Sequence, residues 1–420
     1  MGALKLEKYK SLKSVYYENI TENGLDRYEN VVNSRRNNEL AVHTGLIMSP
    51  FKREFRTKEN FEIFFLTCTQ MYKLQEEIDL LSKRIERMMS QLPPVAKEQM
   101  FVNNLIDELQ STNDIEGVRS SREEISLAIE KLIKNKKKSR FSGLVKLYMK
   151  FQDNKYNTIH EVKDFRNIWN ELVSEEIEED DDFPDGKLFR KEGEVIRYGD
   201  KVIHRGDETE DEITDHLNLL VKEMNNDDMP SLPKCFVAHY YYEYVHPFYD
   251  GNGRTGRFIV CSYLSRKLDM MSAINFSSAI VQNKDMYYKA FTEMANPYNQ
   301  GEATKFIISM MKLLRKGQHS IIEKLDDGLK LIKNADKITD DDKLSTLAKN
   351  VLYILCQKEI FGTYVGAITD VDMEKITETS RYKLNKALRE LEQRNMINVI
   401  NRNPKIHGLT TPLKDELFSE

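Results

Sequence analysis

His246-Pro247-Phe248-Tyr249-Asp250-Gly251-Asn252-Gly253-Arg254-Thr255-Gly256-Arg257 decides how the rest of the chain is read. Apolar and aromatic residues at helical spacing precede it (Phe236, Val237, Tyr240, Tyr241, Tyr244), and helical texture returns after it, so the segment is a loop that ends by opening a helix. Gly251 and Gly253 let the backbone curl with its N–H groups pointing inward, and a helix N-terminus adds a field that favours anions. That is a phosphate cradle. Around it stand a base (His246), a carboxylate suited to Mg²⁺ (Asp250), an amide (Asn252) and two guanidiniums, Arg254 and Arg257, whose fork geometry matches phosphate oxygens. The P-loop pattern Gly-x-x-x-x-Gly-Lys-Ser/Thr is absent.

Working outward, Met71, Leu74, Ile78, Leu81, Ile85, Met88 and Leu92 step by three and four until Pro93-Pro94, which predicts one long amphipathic helix. Two further helices are predicted over 101–114 and 120–134, the second opened by the capping box Ser121-Arg122-Glu123-Glu124. Residues 1–60 show no clear period and read as an irregular accessory arm. The runs Lys136–Lys138 and Glu178–Asp182 read as solvated loop or helix ends. Glu194–Tyr198 and Lys201–His204 flank Gly199-Asp200 as a short β-hairpin.

Helical spacing runs on to about residue 333, where the polar stretch 334–342 reads as a linker. Beyond it, helices around 347–357, 371–376 and 381–393 and a β-hairpin about Asn403-Pro404 have the order of a winged helix-turn-helix. The fold class is therefore mostly α, with one small hairpin and a C-terminal winged helix. The domain plan is an accessory region over 1–95, a helical unit over 96–333, and a winged-helix-like unit over 343–420.

Composition narrows the function classes. With 63 basic and 68 acidic residues the net charge is −5, so any attraction to nucleic acid or anionic lipid must be local. Cys68, Cys235, Cys261 and Cys356 form no C-x-x-C pair and read as reduced thiols of a cytoplasmic protein. No apolar stretch approaches the roughly 18 residues of a membrane span, so no membrane association is expected.

From His246 to Arg257 the sequence resembles the Fic family, whose signature H-x-F-x-D/E-G-N-G-R-x-x-R is matched at every defined position. The resemblance implies a Fic-type helical bundle and a protein adenylyltransferase that moves AMP from ATP to a Ser, Thr or Tyr hydroxyl of a target protein. It further implies His246 as general base, Asp250 as Mg²⁺ ligand, and Asn252 with the Gly251 and Gly253 amides on the α-phosphate. Arg254 and Arg257 would take the outer phosphates, and Tyr288 and Asn296 the adenine and ribose. Gly253 stands where relatives that phosphorylate their target carry Lys. The hairpin, within a flap at about 188–205, would hold the target by strand addition through Val195, Ile196, Val202 and Ile203. Thr112-Asn113-Asp114-Ile115-Glu116-Gly117 resembles the family's inhibitory pattern S/T-x-x-x-E-G/N, on a helix at about 101–117. Glu116 would pair with Arg257, and in some relatives this glutamate also serves AMP removal.

Arg381, Lys383, Lys386 and Arg389 share the third C-terminal helix with no acid between 380 and 389, which suits a DNA major groove. Residues 341–420 hold 12 basic and 12 acidic side chains, so protein contacts, a homodimer among them, fit equally. The alternative to a transferase is a DNA-binding regulator that uses the nucleotide site as a sensor. The intact base favours the enzyme, because a sensor needs the cradle but no base.

Overall fold

The computed structural model describes residues 9–20, 24–134, 136, 139–174, 176–177, 183–198, 200–362 and 368–419. Lys137, Lys138, Gly199 and the acidic run Glu178–Asp182 of the sequence reading lie outside them.

The described residues before 61 form more regular structure than their sequence suggested. They form α1 (Leu12–Glu18), α2 (Gly24–Arg36), β1 (Ala41–Met48), β2 (Phe51–Lys52) and β3 (Phe55–Arg56), and β4 (Phe61–Leu66) follows, pairing antiparallel with β1. In β1 every second residue is buried, Thr44, Leu46 and Met48, a period of two that a polar Thr and an intervening Gly hide from a hydrophobicity count. Tyr16 stacks on Tyr298 at 3.6 Å and Arg35 pairs with buried Glu302 at 2.8 Å, which fastens this region to the segment before residue 304.

Next come α3 (Thr69–Gln91) and α4 (Pro94–Glu116). The helix expected to start near 101 begins seven residues earlier, because Pro94 at its first position needs no N–H partner. It ends where Gly117, at φ 73°, turns left-handed and returns its N–H to the Asn113 carbonyl, which leaves Glu116 as the last helical residue. Then follow α5 (Arg122–Ile133, with its capping box formed), α6 (Ser142–Met149), α7 (Lys163–Leu172), the hairpin β5 (Val195–Tyr198) and β6 (Lys201–Arg205), and α8 (Glu210–Met224). α9 (Ser231–Val245) and α10 (Asn252–Lys267) are buried on nearly every side, and their apolar and aromatic residues belong to the main core. α11 (Met270–Ala273), α12 (Phe276–Val281) and α13 (Lys284–Met294) lead into α14 (Thr304–Thr339), which packs along α3.

The stretch expected as a linker from 334 is helical to Thr339. Ala335 and Ile338 enter a second core, and the charges between them that made the segment look like a connector are solvated. That second core joins α15 (Thr346–Phe361), α16 (Asp370–Ile376), α17 (Arg381–Gln393), the pair β7 (Ile397–Arg402) and β8 (Lys405–Leu409), and α18 (Thr411–Leu417). α15 also touches α4: the Ala96 N–H donates to Gln357 Oε1 at 3.1 Å, and Asn103 Nδ2 donates to the Phe361 carbonyl. The fold is thus mostly helical with small antiparallel pairs, as the sequence predicts. Among the described residues no helix is long and apolar enough to cross a membrane.

Candidate active site

The loop between α9 and α10 is built to hold one shape. His246 caps α9 in the left-handed region at φ 54°, its N–H on the Tyr242 carbonyl at 3.0 Å. Phe248 is fully buried and stacks on Trp169 at 4.9 Å, and Trp169 Nε1 donates to the Asp250 carbonyl at 2.8 Å. Asn252 accepts the Phe248 N–H at 2.9 Å and donates to the Phe248 carbonyl at 2.6 Å, so its amide closes the loop on itself. Gly251 is at φ 79°, and a Cβ there would lie 2.7 Å from Val173 Cγ2. A side chain at 251 would therefore push the loop off α7.

At the start of α10, Arg254 and Arg257 are both buried. Arg254 pairs with Glu176 at 2.7 Å and with Asp250 at 3.2 Å. Arg257 donates through Nε to Thr112 Oγ1 at 2.9 Å and through Nη2 to the Thr112 carbonyl at 3.0 Å, and its Nη1 meets Glu116 Oε1 at 2.9 Å. Glu116 lies against Gly253, where any Cβ would strike its carboxylate. Burial works against the charged form of Arg257, yet Glu116 keeps the guanidinium above its ordinary value. Nearby, half-buried Glu243 has an Oε1 with no hydrogen-bond donor among the described residues, His239 Nδ1 standing 3.9 Å away. Burial, then the charge of Glu116, pushes its carboxyl up to about 8.

His246 is half-buried at the other end of the loop, facing the β5–β6 hairpin, with the His204 ring of β6 6.3 Å from its own. Burial, with help from His204 and Arg190, holds the imidazole well below its ordinary value, so it is neutral at physiological pH. His204 is itself pushed down to about 4 by burial and Arg56.

Of the expected flap residues, Val202 is buried, Val195 and Ile196 are half-buried and Ile203 is 44% exposed. Asn296 spends its side-chain oxygen on the Tyr298 N–H at 3.0 Å, beneath α1, and Tyr288 is 43% exposed with its ring edge-on to Tyr287. The structure thus gathers His246, Asp250, Gly251, Asn252, Gly253, Arg254, Arg257 and Glu116, whereas Asn296 serves a turn. Sequence reasoning missed Arg190, Glu176 and Glu243. The first two lie in irregular segments without periodicity, and Glu243 looks like any polar position on a helix.

Residues 159–264 match the Fic/DOC family model. The Fic/DOC segment begins just before α7 and ends in α10, so it contains the hairpin and the whole 246–257 loop. Proteins with such a domain are in general transferases. In fold, the chain is similar to a Fic family protein from Desulfovibrio desulfuricans, with TM-score 0.50 and 18% identity over 82% of this chain and 97% of that one. A Fic domain containing signaling protein from Bacteroides thetaiotaomicron aligns at TM-score 0.39 and 15% identity, over 61% of this chain and 96% of that one.

Proposed function

We propose that the protein is an adenylyltransferase that moves AMP from ATP to a hydroxyl side chain of a target protein, and that Glu116 inhibits it. The observation that carries this reading is one loop with a neutral, half-buried His246 at one end and, at the other, a helix N-terminus with two buried arginines. His246 accepts the proton of the incoming hydroxyl, a role that needs the imidazole unprotonated. The Gly253 amide and Arg257, joined by the Gly251 amide once it leaves Asp250 Oδ1, to which it donates at 2.6 Å, would hold the phosphates and fix the α-phosphorus for in-line attack, since transfer of this kind depends mainly on positioning and charge neutralisation. The Fic/DOC match supports nucleotidyl transfer at the level of the family.

The donor set suits Mg²⁺. Asp250 presents a carboxylate 44% exposed at the loop, and no group of three His, Cys, Asp or Glu converges among the described residues. Asp250 would hold a cation there once its oxygens leave the Gly251 N–H and Arg254, and phosphates and water would supply its other ligands, as is common for Mg²⁺. When bound it would neutralise phosphate charge. Arg254, tied here to Glu176 and Asp250, must exchange those partners to reach an outer phosphate.

Inhibition follows from occupancy. Glu116 fills the space over Gly253 and takes Nη1 of Arg257, the donor an outer phosphate would use. The test is incubation of the Glu116→Gly protein with ATP and Mg²⁺, reading AMP on the protein itself and on lysate proteins by mass spectrometry. A Glu116→Gly protein that binds ATP and transfers nothing overturns the reading.

A second role fits the C-terminal unit. On α17, Tyr382, Lys383, Lys386 and Arg389 are exposed with no acid among them, a face suited to a DNA groove. Arg381 does not belong with them, since its guanidinium lies 3.7 Å from Asp370 and 3.8 Å from Glu374 of α16.

A further inference from the structure

Arg190, in the irregular segment before β5, is fully buried, and among the described residues it meets no carboxylate at ion-pairing distance. A buried guanidinium without a counter-ion is costly, and it persists only where its donors are satisfied by something else. Here they are met by backbone carbonyls. Nε donates to His246 at 2.8 Å, Nη1 to Asp207 at 2.6 Å and to Glu192, and Nη2 to Val245 at 3.3 Å. Four of the five N–H groups of the fork are so used. The main chain repeats the connection: the Arg190 N–H donates to the Pro247 carbonyl at 3.2 Å and the Asp207 N–H to Val245 at 3.0 Å.

These carbonyls belong to two bodies. Val245, His246 and Pro247 are the end of α9 and the start of the loop, while Glu192 and Asp207 stand at the two feet of the β5–β6 hairpin. Gly206 makes room for the clasp, since a Cβ there would strike Nη2 of Arg190 and come within 3.0 Å of the His246 Cβ.

We propose that Arg190 is the positioning residue of the His246 base, clasping the left-handed turn that carries the imidazole to both feet of the hairpin so that base and hairpin hold one geometry. This rests on the transferase reading. The clasp has a second effect, because its charge sits beside the imidazole. The groups acting on that ring are His204 of β6, Arg190, the Glu243 carbonyl of α9 and Arg56 of β3, whose guanidinium pairs with Asp207 at 2.6 Å. Burial is the largest reason His246 stays neutral, and the Arg190 charge adds to it.

The test compares Arg190→Gln, Arg190→Lys and Gly206→Ala in a Glu116→Gly background, with two readouts: AMP transfer against pH, and the His246 titration followed by NMR of the imidazole without nucleotide. At pH 8, where the imidazole is neutral in every variant, transfer should fall roughly 10- to 100-fold in all three, as misplacement of a reacting group predicts, with ATP affinity within about twofold. The titration should move up toward the ordinary histidine value in Arg190→Gln and stay put in Arg190→Lys and Gly206→Ala, which keep the charge. Gly206→Ala carries the test should Arg190→Gln fail to fold. An undiminished rate at pH 8, or equal titration shifts in the Gln and Lys variants, overturns the proposal. A Glu116→Gly parent that transfers no AMP overturns the transferase reading instead, and the titration still reports on Arg190.

Discussion

Glu116 Oε1 lies 2.9 Å from Nη1 of Arg257, and the same guanidinium reaches back to the side chain and carbonyl of Thr112 one turn earlier on α4. One buried cation therefore reads both ends of the last turn of a helix. The pair closes over Gly253, the residue whose missing side chain leaves space either for a carboxylate or for a phosphate.

Replacing Glu116 by Gly should free that space. Auto-modification with labelled ATP and Mg²⁺ is expected to rise by at least tenfold over the wild type, and Glu116→Gln, which keeps the bulk without the charge, should fall between the two. Equal rates in wild type and Glu116→Gly would remove the inhibitory role.

His246→Ala in the Glu116→Gly background should lower AMP transfer by roughly 10²- to 10⁴-fold, the usual contribution of a general base. ATP affinity, measured by calorimetry, should hardly change if the phosphates are held, as proposed, at the α10 end of the loop. Arg257→Ala should instead weaken ATP binding.

Glu243 gives a pH dependence of stability. Its carboxyl keeps a proton to about pH 8 when folded, whereas an unfolded glutamate loses it near 4.3. Between those values the unfolded state binds fewer protons, so stability falls as pH rises, and the slope ends above about 8. Urea midpoints at pH 5.5 and 7.5 should therefore drop more for wild type than for Glu243→Gln, the difference amounting to a few kcal/mol at most. Parallel changes in the two proteins would show that Glu243 is not the group responsible.

For the α17 face, Lys386→Glu with Arg389→Glu should abolish a salt-sensitive shift of duplex DNA, each lost phosphate contact lowering the salt slope by about one unit. Absence of any shift in the unaltered protein at low salt would assign the face to protein contacts.

Much of this architecture was legible because it follows period. The α3 stripe, the α5 capping box and the α17 helix are local patterns, and local patterns survive folding. The loop was legible because several reactive residue types share twelve positions. What stayed hidden depends on distant partners. The alternation of β1 makes sense only beside β4, and residues 334–339 become helix because Ala335 and Ile338 find a second core. Arg190 looks like any loop arginine until four backbone carbonyls converge on it, and nothing local in the sequence places Glu176 against Arg254.

The placement of Glu116 on α4 constrains how any inhibition can be lifted. Met100, Phe101, Val102, Leu105, Ile106 and Leu109 of that helix are buried in the main core. At about 1.5–3 kcal/mol for each large apolar side chain, pulling α4 away would cost on the order of 10 kcal/mol, comparable to the whole stability of a typical domain. The helix is a wall of the site and cannot act as a removable plug. Relief must be confined to its final turn, through rotation of one glutamate side chain or fraying at Gly117, and an activator needs to perturb only those few atoms.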